Sequence, residues 1–143
     1  MSKGNSFENE TLALVFNATA IADLAENDSS SPATVLEVSL HTADPGEGGA
    51  QNTSEATYTD YARVAVTRGV GGWTVAVNEA SNAVAVTFPA CSGGTNTITH
   101  VGVGLAHSGA GKLLYYGELG TPLAVSTGII PTFPIGDLVI RED

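Results

Sequence analysis

VLEVSLHTADPG, residues 35–46, carries the clearest strand pattern in the chain. Leu36, Val38 and Leu40 alternate with polar residues, which is the period-two pattern of a strand with one apolar face. The Asp-Pro-Gly at its end favours a turn, because proline fixes its own φ and glycine tolerates positive φ. The segment therefore predicts a strand with one buried face, followed by a turn.

Beyond this strand, the chain repeats short segments of alternating apolar residues, separated by glycine-rich turns. With the first strand they number about eight, at the spacing of an antiparallel sandwich or jelly roll. No helical pattern recurs between them, which disfavours a parallel α/β sheet. The predicted fold class is mainly β: an antiparallel β-sandwich or jelly roll with an N-terminal amphipathic helix. The predicted strands are 35–41, 61–67, 73–77, 83–88, 97–106, 113–119, 123–126 and 135–140.

Residues 5–25 have the spacing of an amphipathic helix, with Phe7, Leu14 and Ile21 on one apolar stripe. Two interpretations remain open. The helix packs on the sheet of its own chain, or it is an arm that docks on a neighbouring subunit. In the second case these three residues are candidate contacts with another subunit.

An acidic, serine-rich segment at 26–33 separates this helix from the β-rich part of the chain, and Pro32 within it resists helix formation. We therefore predict a helical arm and linker over residues 1–33. Residues 34–143 are predicted to form the β-sandwich or jelly-roll domain.

The segment 44–60 is polar, glycine-rich and long for a purely structural connection. Loops of this kind are usually functional or interface-making, or they order only on assembly. Aromatic residues at the end of this loop would mark a contact surface if they were exposed. The candidate contacts with another subunit in this region are Asp44, Pro45, Glu47, Tyr58 and Tyr61.

The net charge is −10, from fifteen acidic and five basic residues. This balance argues against nucleic acid as a partner, because phosphate binding needs clustered Lys and Arg. The single cysteine, Cys91, excludes an intramolecular disulfide framework. No segment approaches the roughly 18 apolar residues of a membrane span, and the N-terminus lacks the apolar core of a signal peptide. We expect synthesis in a reducing cytoplasm and no membrane partner.

The motifs that could carry catalysis are weak. AHSGAGK at 106–112 approximates a phosphate-binding loop, but Leu113 stands where the metal-binding hydroxyl belongs and a strand follows. A hairpin turn is the better interpretation. The three histidines lack the short spacing of a metal site, and Cys91 has no neighbour that would activate a thiol. We predict no catalytic residues, no cofactor, no metal site and no enzymatic activity.

Six segments, read in order, resemble a family of small virion structural proteins of tailed bacteriophages. The resemblance extends over about residues 5–140, and the family has no known catalytic residues. Its members include tail-fibre and minor tail proteins, and jelly-roll-like proteins of similar size serve as capsid cement proteins. The segments are VSLHTADPG (38–46), YARVAV (61–66), AVAVTFP (83–89), THVGV (99–103), LLYYG (113–117) and TPL (121–123).

The resemblance implies a virion protein, and the favoured function is a capsid cement, or decoration, protein. Such a protein would bind as a homotrimer on the outer capsid surface and stabilise the joints between capsomers. A minor tail or tail-fibre protein is the first alternative. A carbohydrate- or receptor-binding module, with an aromatic platform near Tyr58 and Trp73, is the second. The expected partners are the major capsid protein or tail proteins, and further copies of the chain.

Overall fold

The computed structural model of the chain describes residues 5–21 and 32–142. These residues form one α-helix and nine strands, and the strands β1, β3, β4, β6, β7 and β9 pair antiparallel. The mainly β fold class with an N-terminal helix is confirmed, while the jelly-roll arrangement stays a prediction. The elements are α1 (Asn5–Asn17), β1 (Val35–His41), β2 (Val64–Thr67), β3 (Trp73–Ala76), β4 (Glu79–Asn82), β5 (Val86–Thr87), β6 (Asn96–Gly104), β7 (Leu113–Val125), β8 (Thr132–Phe133) and β9 (Val139–Arg141).

The described residues divide into two compact units. Unit 1 comprises the described part of residues 1–35 together with residues 67–85 and 133–142, and unit 2 comprises residues 36–66 and 86–132. The predicted boundary after residue 33 stays a prediction.

Unit 2 is built on a four-stranded sheet with the order β2-β1-β6-β7, and it also contains the short β5-β8 pair. In the antiparallel ladder between β1 and β6, Val38 lies opposite Val103 and Leu40 opposite Val101. Leu36, Val38 and Leu40 are essentially inaccessible to solvent. The apolar face that the alternation predicted is therefore the face that enters the core.

The polar face of β1 is buried as well, and the prediction of a single buried face was wrong on this point. Glu37, Ser39 and His41 alternate with the apolar residues, yet each is at most 3% exposed. The cause is tertiary: backbone of the following loop pairs with the end of the strand, through an isolated bridge between His41 and Glu55. Sequence alternation reports which side chains are polar, but it does not report what later segments cover them.

Unit 1 contains the three-stranded antiparallel sheet β3-β4-β9 and the helix α1, which packs on β3 and β4. The rings of Phe16 and Trp73 meet with their centroids 4.7 Å apart and tilted by 60°. Both side chains are fully buried, as is Leu12 one turn before Phe16. The helix therefore packs on a sheet of its own chain, the first of the two interpretations.

The helix is shorter than predicted, and its fully buried residues are Leu12 and Phe16, which widen the predicted stripe of Phe7, Leu14 and Ile21. It ends at Asn17, where Ala18 takes a left-handed conformation with φ of 54°, so Ile21 lies outside it. Positive φ cannot continue a right-handed helix, and this is why the periodic pattern overran the true end. Residues 22–25 of the predicted helix lie outside the described residues.

Arg68 holds the C-terminal turn of this helix. Its guanidinium donates hydrogen bonds to the carbonyl oxygens of Leu14 and Val15, the latter at 2.6 Å from Nε. The last carbonyls of a helix have no intrahelical donor, and a cation there also opposes the negative end of the helix dipole. One arginine thus joins the helix end to the chain just after β2.

The structure contains three strands that the prediction missed or divided. β4 (Glu79–Asn82) was missed, because its sequence, EASN, has no apolar alternation. β8 (Thr132–Phe133) was missed as well, because two residues are too few to show a pattern. The segments predicted separately as 113–119 and 123–126 form one continuous strand, β7, which passes through Pro122. Proline is tolerated there because β7 is an edge strand of its sheet, where one side of the backbone needs no ladder partner.

Candidate functional site

The long loop at 44–60, predicted to be functional or interface-making, is ordered in this structure by its own chain. Two backbone hydrogen bonds fold the loop back along its own start: Thr42 N donates to Ser54 O at 2.7 Å, and Ala56 N donates to Leu40 O in β1 at 2.8 Å. The loop therefore does not require a partner to take one conformation. We refer to residues 42–60 as the anchored loop.

His41 fixes the middle of the anchored loop from the end of β1. Its Nδ1 lies 2.8 Å from the carbonyl oxygen of Thr53, and its Nε2 lies 2.9 Å from Ser39 Oγ. A carbonyl can only accept, so Nδ1 carries the hydrogen and Nε2 accepts from the serine. Burial lowers the pKa of His41, although the Thr53 carbonyl and the Glu55 carboxylate oppose the shift. The imidazole is therefore a neutral structural link.

Glu55 and Arg63 form a buried ion pair at the base of the anchored loop. Arg63 Nε donates to Glu55 Oε1 at 2.6 Å, and Nη2 donates to Oε2 at 2.7 Å, so the contact is bidentate. The guanidinium also donates to the carbonyl oxygens of Ala106 and Gly109, each at 2.7 Å. Hydrogen bonding to Glu55 raises the pKa of Arg63 further. One side chain thereby joins the loop to the turn between β6 and β7.

Tyr61 adds a third partner to this pair. Its hydroxyl donates to Glu55 Oε1 at 2.9 Å and accepts from the backbone N–H of Leu40 at 3.0 Å. Burial is the main reason that the pKa of Tyr61 is raised above its ordinary value. The phenol therefore stays protonated and serves as a fixed bridge between β1 and the carboxylate.

Gln51 provides the second link between the anchored loop and the β6–β7 turn. It is fully buried; its Oε1 accepts from Ala106 N at 2.8 Å, and its backbone N–H donates to Gly111 O at 2.9 Å. A Cβ placed on Gly104 or Gly111 would approach the Gln51 side-chain amide to 2.2 or 2.3 Å. Gln51 therefore fills the space that Gly104 leaves beside β6.

The acidic residues predicted as contacts lie on the outside of this network. Asp44 and Glu47 are exposed, and Asp44 Oδ1 accepts a hydrogen bond from Gly46 N at 2.8 Å. Gly46 has φ of 71°, which confirms the predicted turn. Pro45 is buried within the turn. The anchored loop therefore exposes two carboxylates, while the network described above holds its backbone in one conformation.

The two tyrosines are packed in unit 2. Tyr58 is 3% exposed and donates from its hydroxyl to Pro89 O at 3.0 Å, while Tyr61 stacks on Phe88 with centroids 6.2 Å apart. Burial raises the pKa of Tyr58 to about 12. Trp73, in unit 1, is also fully buried. Neither Tyr58 nor Trp73 supplies the exposed ring that an aromatic sugar platform requires.

The candidate contacts at the N-terminus fall into different environments. Phe7 is 39% exposed and Leu14 is half-buried, whereas Ile21 is 8% exposed. Of the eight candidates, therefore, Phe7, Asp44 and Glu47 are directly accessible from outside. The contact role of all eight stays a prediction.

The remaining sequence motifs take ordinary structural places. The glycine-rich segment before Lys112 forms the β6–β7 hairpin turn, as predicted, with Leu105 N donating to Lys112 O at 3.2 Å. Cys91 is buried, and its thiol lies 3.3 Å from Gly93 O. Within residues 5–21 and 32–142, three or more His, Cys, Asp or Glu side chains do not gather into a potential metal site. The helix found in the same residues is not long and apolar enough to cross a membrane.

Arg63 and Gln51 were not singled out from the sequence, although they hold the anchored loop. Arg63 did carry a signal, because a lone arginine beside an apolar strand is rarely buried without an acidic partner. Gln51 carried none: it lies in a polar loop, and its partner Ala106 is 55 positions away.

A comparison with known protein families identifies the family to which the chain belongs. Residues 4–141 match the family described as "Podophage GP4 fiber I protein gp80". The chain belongs to this family. The match confirms the resemblance to virion structural proteins of tailed phages, and with it the expectation of a virion protein. A search of curated proteins found no match to this gp80 family member.

Proposed function

We propose that this gp80 family member is a non-catalytic subunit of the phage fibre, which acts by covering surface between virion proteins. The observation that carries the proposal is the family match, which extends over residues 4–141 and is to a fibre protein of podophages. The sequence favoured a capsid cement role; the family description favours its alternative, a tail or fibre component. The cement role and the homotrimer stay predictions.

The anchored loop supports a role in assembly. A loop that is already ordered loses little conformational entropy when a partner binds, so more of the contact energy appears as affinity. The buried pair between Arg63 and Glu55, at 2.6 and 2.7 Å, holds the loop in this state. The outward carboxylates of Asp44 and Glu47 would then favour a partner surface with basic residues.

The same network supports a non-catalytic role. Both nitrogens of His41 are engaged, by Ser39 and by the Thr53 carbonyl. Glu55 is bound by Arg63 through both of its oxygens. A general base needs a free lone pair and access to substrate, and these groups use theirs to hold the loop.

Location in the virion tests the proposal. We would attach a gold label to a C-terminal tag on the protein and image purified virions, and measure its copy number against the major capsid protein by mass spectrometry. A fibre subunit gives label at the tail and few copies per particle. Label over the whole shell, with copies in proportion to the capsid protein, would instead support the cement role. Absence from purified virions would overturn a structural role altogether.

Carboxylate removal tests the contact surface without disturbing the fold. The double variant Asp44→Asn, Glu47→Gln removes two exposed charges, and we expect lower incorporation into virions with an unchanged unfolding midpoint. The double variant Glu10→Gln, Asp137→Asn removes two exposed charges of unit 1 and is the matched control. Normal incorporation of the Asp44→Asn, Glu47→Gln variant would exclude these two carboxylates as contacts.

A further inference from the structure

An open groove lies in unit 2, where the first residues of β6 and the last residues of β7 pair beside the start of the anchored loop. Its volume is about 560 Å³. Four of the residues that line it are paired across the two strands, Thr97 with Ala124 and Asn96 with Val125. The ladder between β6 and β7 therefore holds most of the lining in place. The other lining residues are Thr42, Thr95 and Ser126.

The lining of this groove is polar but uncharged. It contains four residues with a hydroxyl group and one with an amide, together with the small apolar side chains of Ala124 and Val125. None of the seven lining residues is acidic, basic or aromatic. The groove therefore offers hydrogen bonds to a ligand and no ion pair.

These groups indicate the chemical class of the ligand by elimination. An anionic ligand would lose hydration without gaining a cationic partner, and the net charge of −10 would repel it. A cationic ligand would find no carboxylate in the groove, and an apolar ligand would cover the hydroxyl and amide groups without pairing them. A neutral compound with many hydroxyl groups can donate and accept at the polar groups and place its C–H surface on Ala124 and Val125. A neutral saccharide has this chemistry.

Asn96 provides a fixed donor in the groove. Its Oδ1 accepts hydrogen bonds from the backbone N–H groups of Thr57 at 2.8 Å and Tyr58 at 2.9 Å. A backbone N–H can only donate, so these two bonds determine which end of the amide is the oxygen. Within the part of the chain that the structure describes, the Nδ2 of Asn96 has no acceptor, and solvent reaches it. Both of its hydrogens therefore remain for a ligand.

The hydroxyl groups beside Asn96 are also available. Thr95, Thr97 and Ser126 are exposed, and their side chains make no hydrogen bond to any other described residue. The hydroxyl of Thr42 donates to Ser54 O at 3.1 Å and can still accept. A hydroxyl rotates to donate or to accept, as the hydroxyls of a sugar do. The groove thus combines one oriented amide with hydroxyls that adapt to the ligand.

We propose that this groove binds one ring of a neutral saccharide, with Asn96 Nδ2 donating to one sugar hydroxyl and Thr97 and Ser126 bonding to its neighbours. The site is separate from the aromatic platform that the sequence suggested near Tyr58 and Trp73. Because no aromatic ring lines the groove, the affinity rests on these hydrogen bonds and is expected to be weak. The inference goes beyond the fibre role, which requires no small ligand.

Nuclear magnetic resonance titration of the whole protein detects weak binding and locates it. We would add methyl glucoside, methyl galactoside or methyl mannoside and follow the backbone amide signals. We expect at least one of these glycosides to shift the amides of residues 95–97 and 124–126 selectively. Methyl glucuronide differs from methyl glucoside by one carboxylate and is the matched charged probe. It should shift these amides less than the neutral glycosides do, because the groove holds no cation to receive its charge.

Thr97→Val tests the hydrogen bonds at the groove. The change removes one hydroxyl and keeps the branched shape of the side chain, and Thr97 is exposed, so the fold should tolerate it. We expect the dissociation constant of the bound glycoside to rise about fivefold, the effect of one lost hydrogen bond. Thr121→Val makes the same change at an exposed position of β7 outside the groove and is the matched control. This control should leave the dissociation constant unchanged.

Three results would overturn the proposal: no selective shift with any of the three glycosides, an equal response to methyl glucuronide, or a Thr97→Val protein that binds as tightly as the unaltered one. A free sugar and a polysaccharide present the same chemistry, and the polymer of the bound sugar (dextran, galactan or mannan) distinguishes them. Tighter binding per sugar unit supports a polysaccharide as the ligand, whereas equal binding supports a free sugar. Each of these results leaves the fibre role standing, because that role fails on virion location alone.

Discussion

Arg63 is held by four short hydrogen bonds, although it is 5% exposed and carries a full charge. Burial of a charge is costly unless the charge is paired and its donors are satisfied. Here both conditions are met, by Glu55 and by the carbonyl oxygens of Ala106 and Gly109. Removing Arg63 would leave the Glu55 carboxylate without its cation and the two carbonyl oxygens without their donor.

Arg63→Met should therefore destabilise the protein by about 3–5 kcal/mol, because Glu55 is left as an uncompensated charge. Chemical denaturation measures the loss. Arg141→Met is the control: its pair with Glu79 is solvent-exposed, with side chains 65% and 42% accessible. That change should cost less than about 1 kcal/mol. Equal losses in the two variants would contradict the buried-pair interpretation.

His41 makes stability depend on pH. Its pKa is lowered from 6.5 by burial, so the folded state binds fewer protons than the unfolded state once the pH falls below about 6.5. Stability is therefore present in full above that pH and is lost as the pH falls through the folded pKa. Unfolding free energies measured from about pH 7 to pH 5 should decline, and His41→Gln should flatten the decline. An unchanged decline in His41→Gln would contradict this role of His41.

Gly102 is required because other side chains occupy the space where its Cβ would be. A Cβ there would lie 2.7 Å from His41 Nε2 and 2.8 Å from Ser39 Oγ. Gly102→Ala should cost about 1–3 kcal/mol through forced displacement of this buried pair. Gly117→Ala, on β7 with no atom within 4 Å, should be neutral or slightly stabilising. A neutral Gly102→Ala would show that the polar face of β1 can shift.

At the scale of elements, α1 is part of the core of unit 1. Leu12 and Phe16 are fully buried, and Phe16 contacts Trp73 on β3. Phe7, on another side of the helix, is 39% exposed. The helix thus packs within its own chain, and its contact with a neighbouring subunit stays a prediction.

Phe16→Ala should destabilise unit 1 by about 3–5 kcal/mol, because it leaves a cavity beside Trp73. Trp73 is the one tryptophan of the chain, so its fluorescence reports on this packing directly. We expect a red-shifted emission and a lower unfolding midpoint. Phe7→Ala removes an exposed ring of the same helix and is the control. Unchanged emission from Phe16→Ala would mean that the helix does not shield the indole.

At the scale of the whole molecule, charge is segregated along the chain. The net charge is −10, while residues 80–136 carry one lysine and one glutamate. Repulsion between acidic surfaces acts against any self-association, and it is screened as ionic strength rises.

Raising the ionic strength from about 0.01 M to about 0.15 M should therefore strengthen self-association, because the screening length falls from about 30 Å to about 8 Å. Sedimentation velocity at matched protein concentrations measures this directly. A neutral osmolyte at the same osmolality controls for excluded-volume effects. Weaker association at the higher salt would show that attractive ion pairs dominate the contact.

Local sequence patterns were sufficient for the fold class and for several details. Alternation at Leu36, Val38 and Leu40 identified the core strand, Asp-Pro-Gly identified the turn, and the weak phosphate-loop motif was correctly interpreted as a hairpin. These features depend on side-chain period and on φ preferences, which are properties of neighbouring residues. A single sequence expresses them without knowledge of the rest of the chain.

Tertiary structure alone decided what covers the polar face of β1, which stripe of α1 is buried and which strand is left at the edge. The bond from Arg63 to Ala106 joins residues 43 positions apart, and the one from Gln51 to Ala106 joins residues 55 apart. Such contacts arise when distant segments are brought together by folding, and no local periodicity encodes which segments will meet. The sequence by itself therefore determined the strands and turns of this virion protein, and the long-range packing determined which of their faces remain available to a partner.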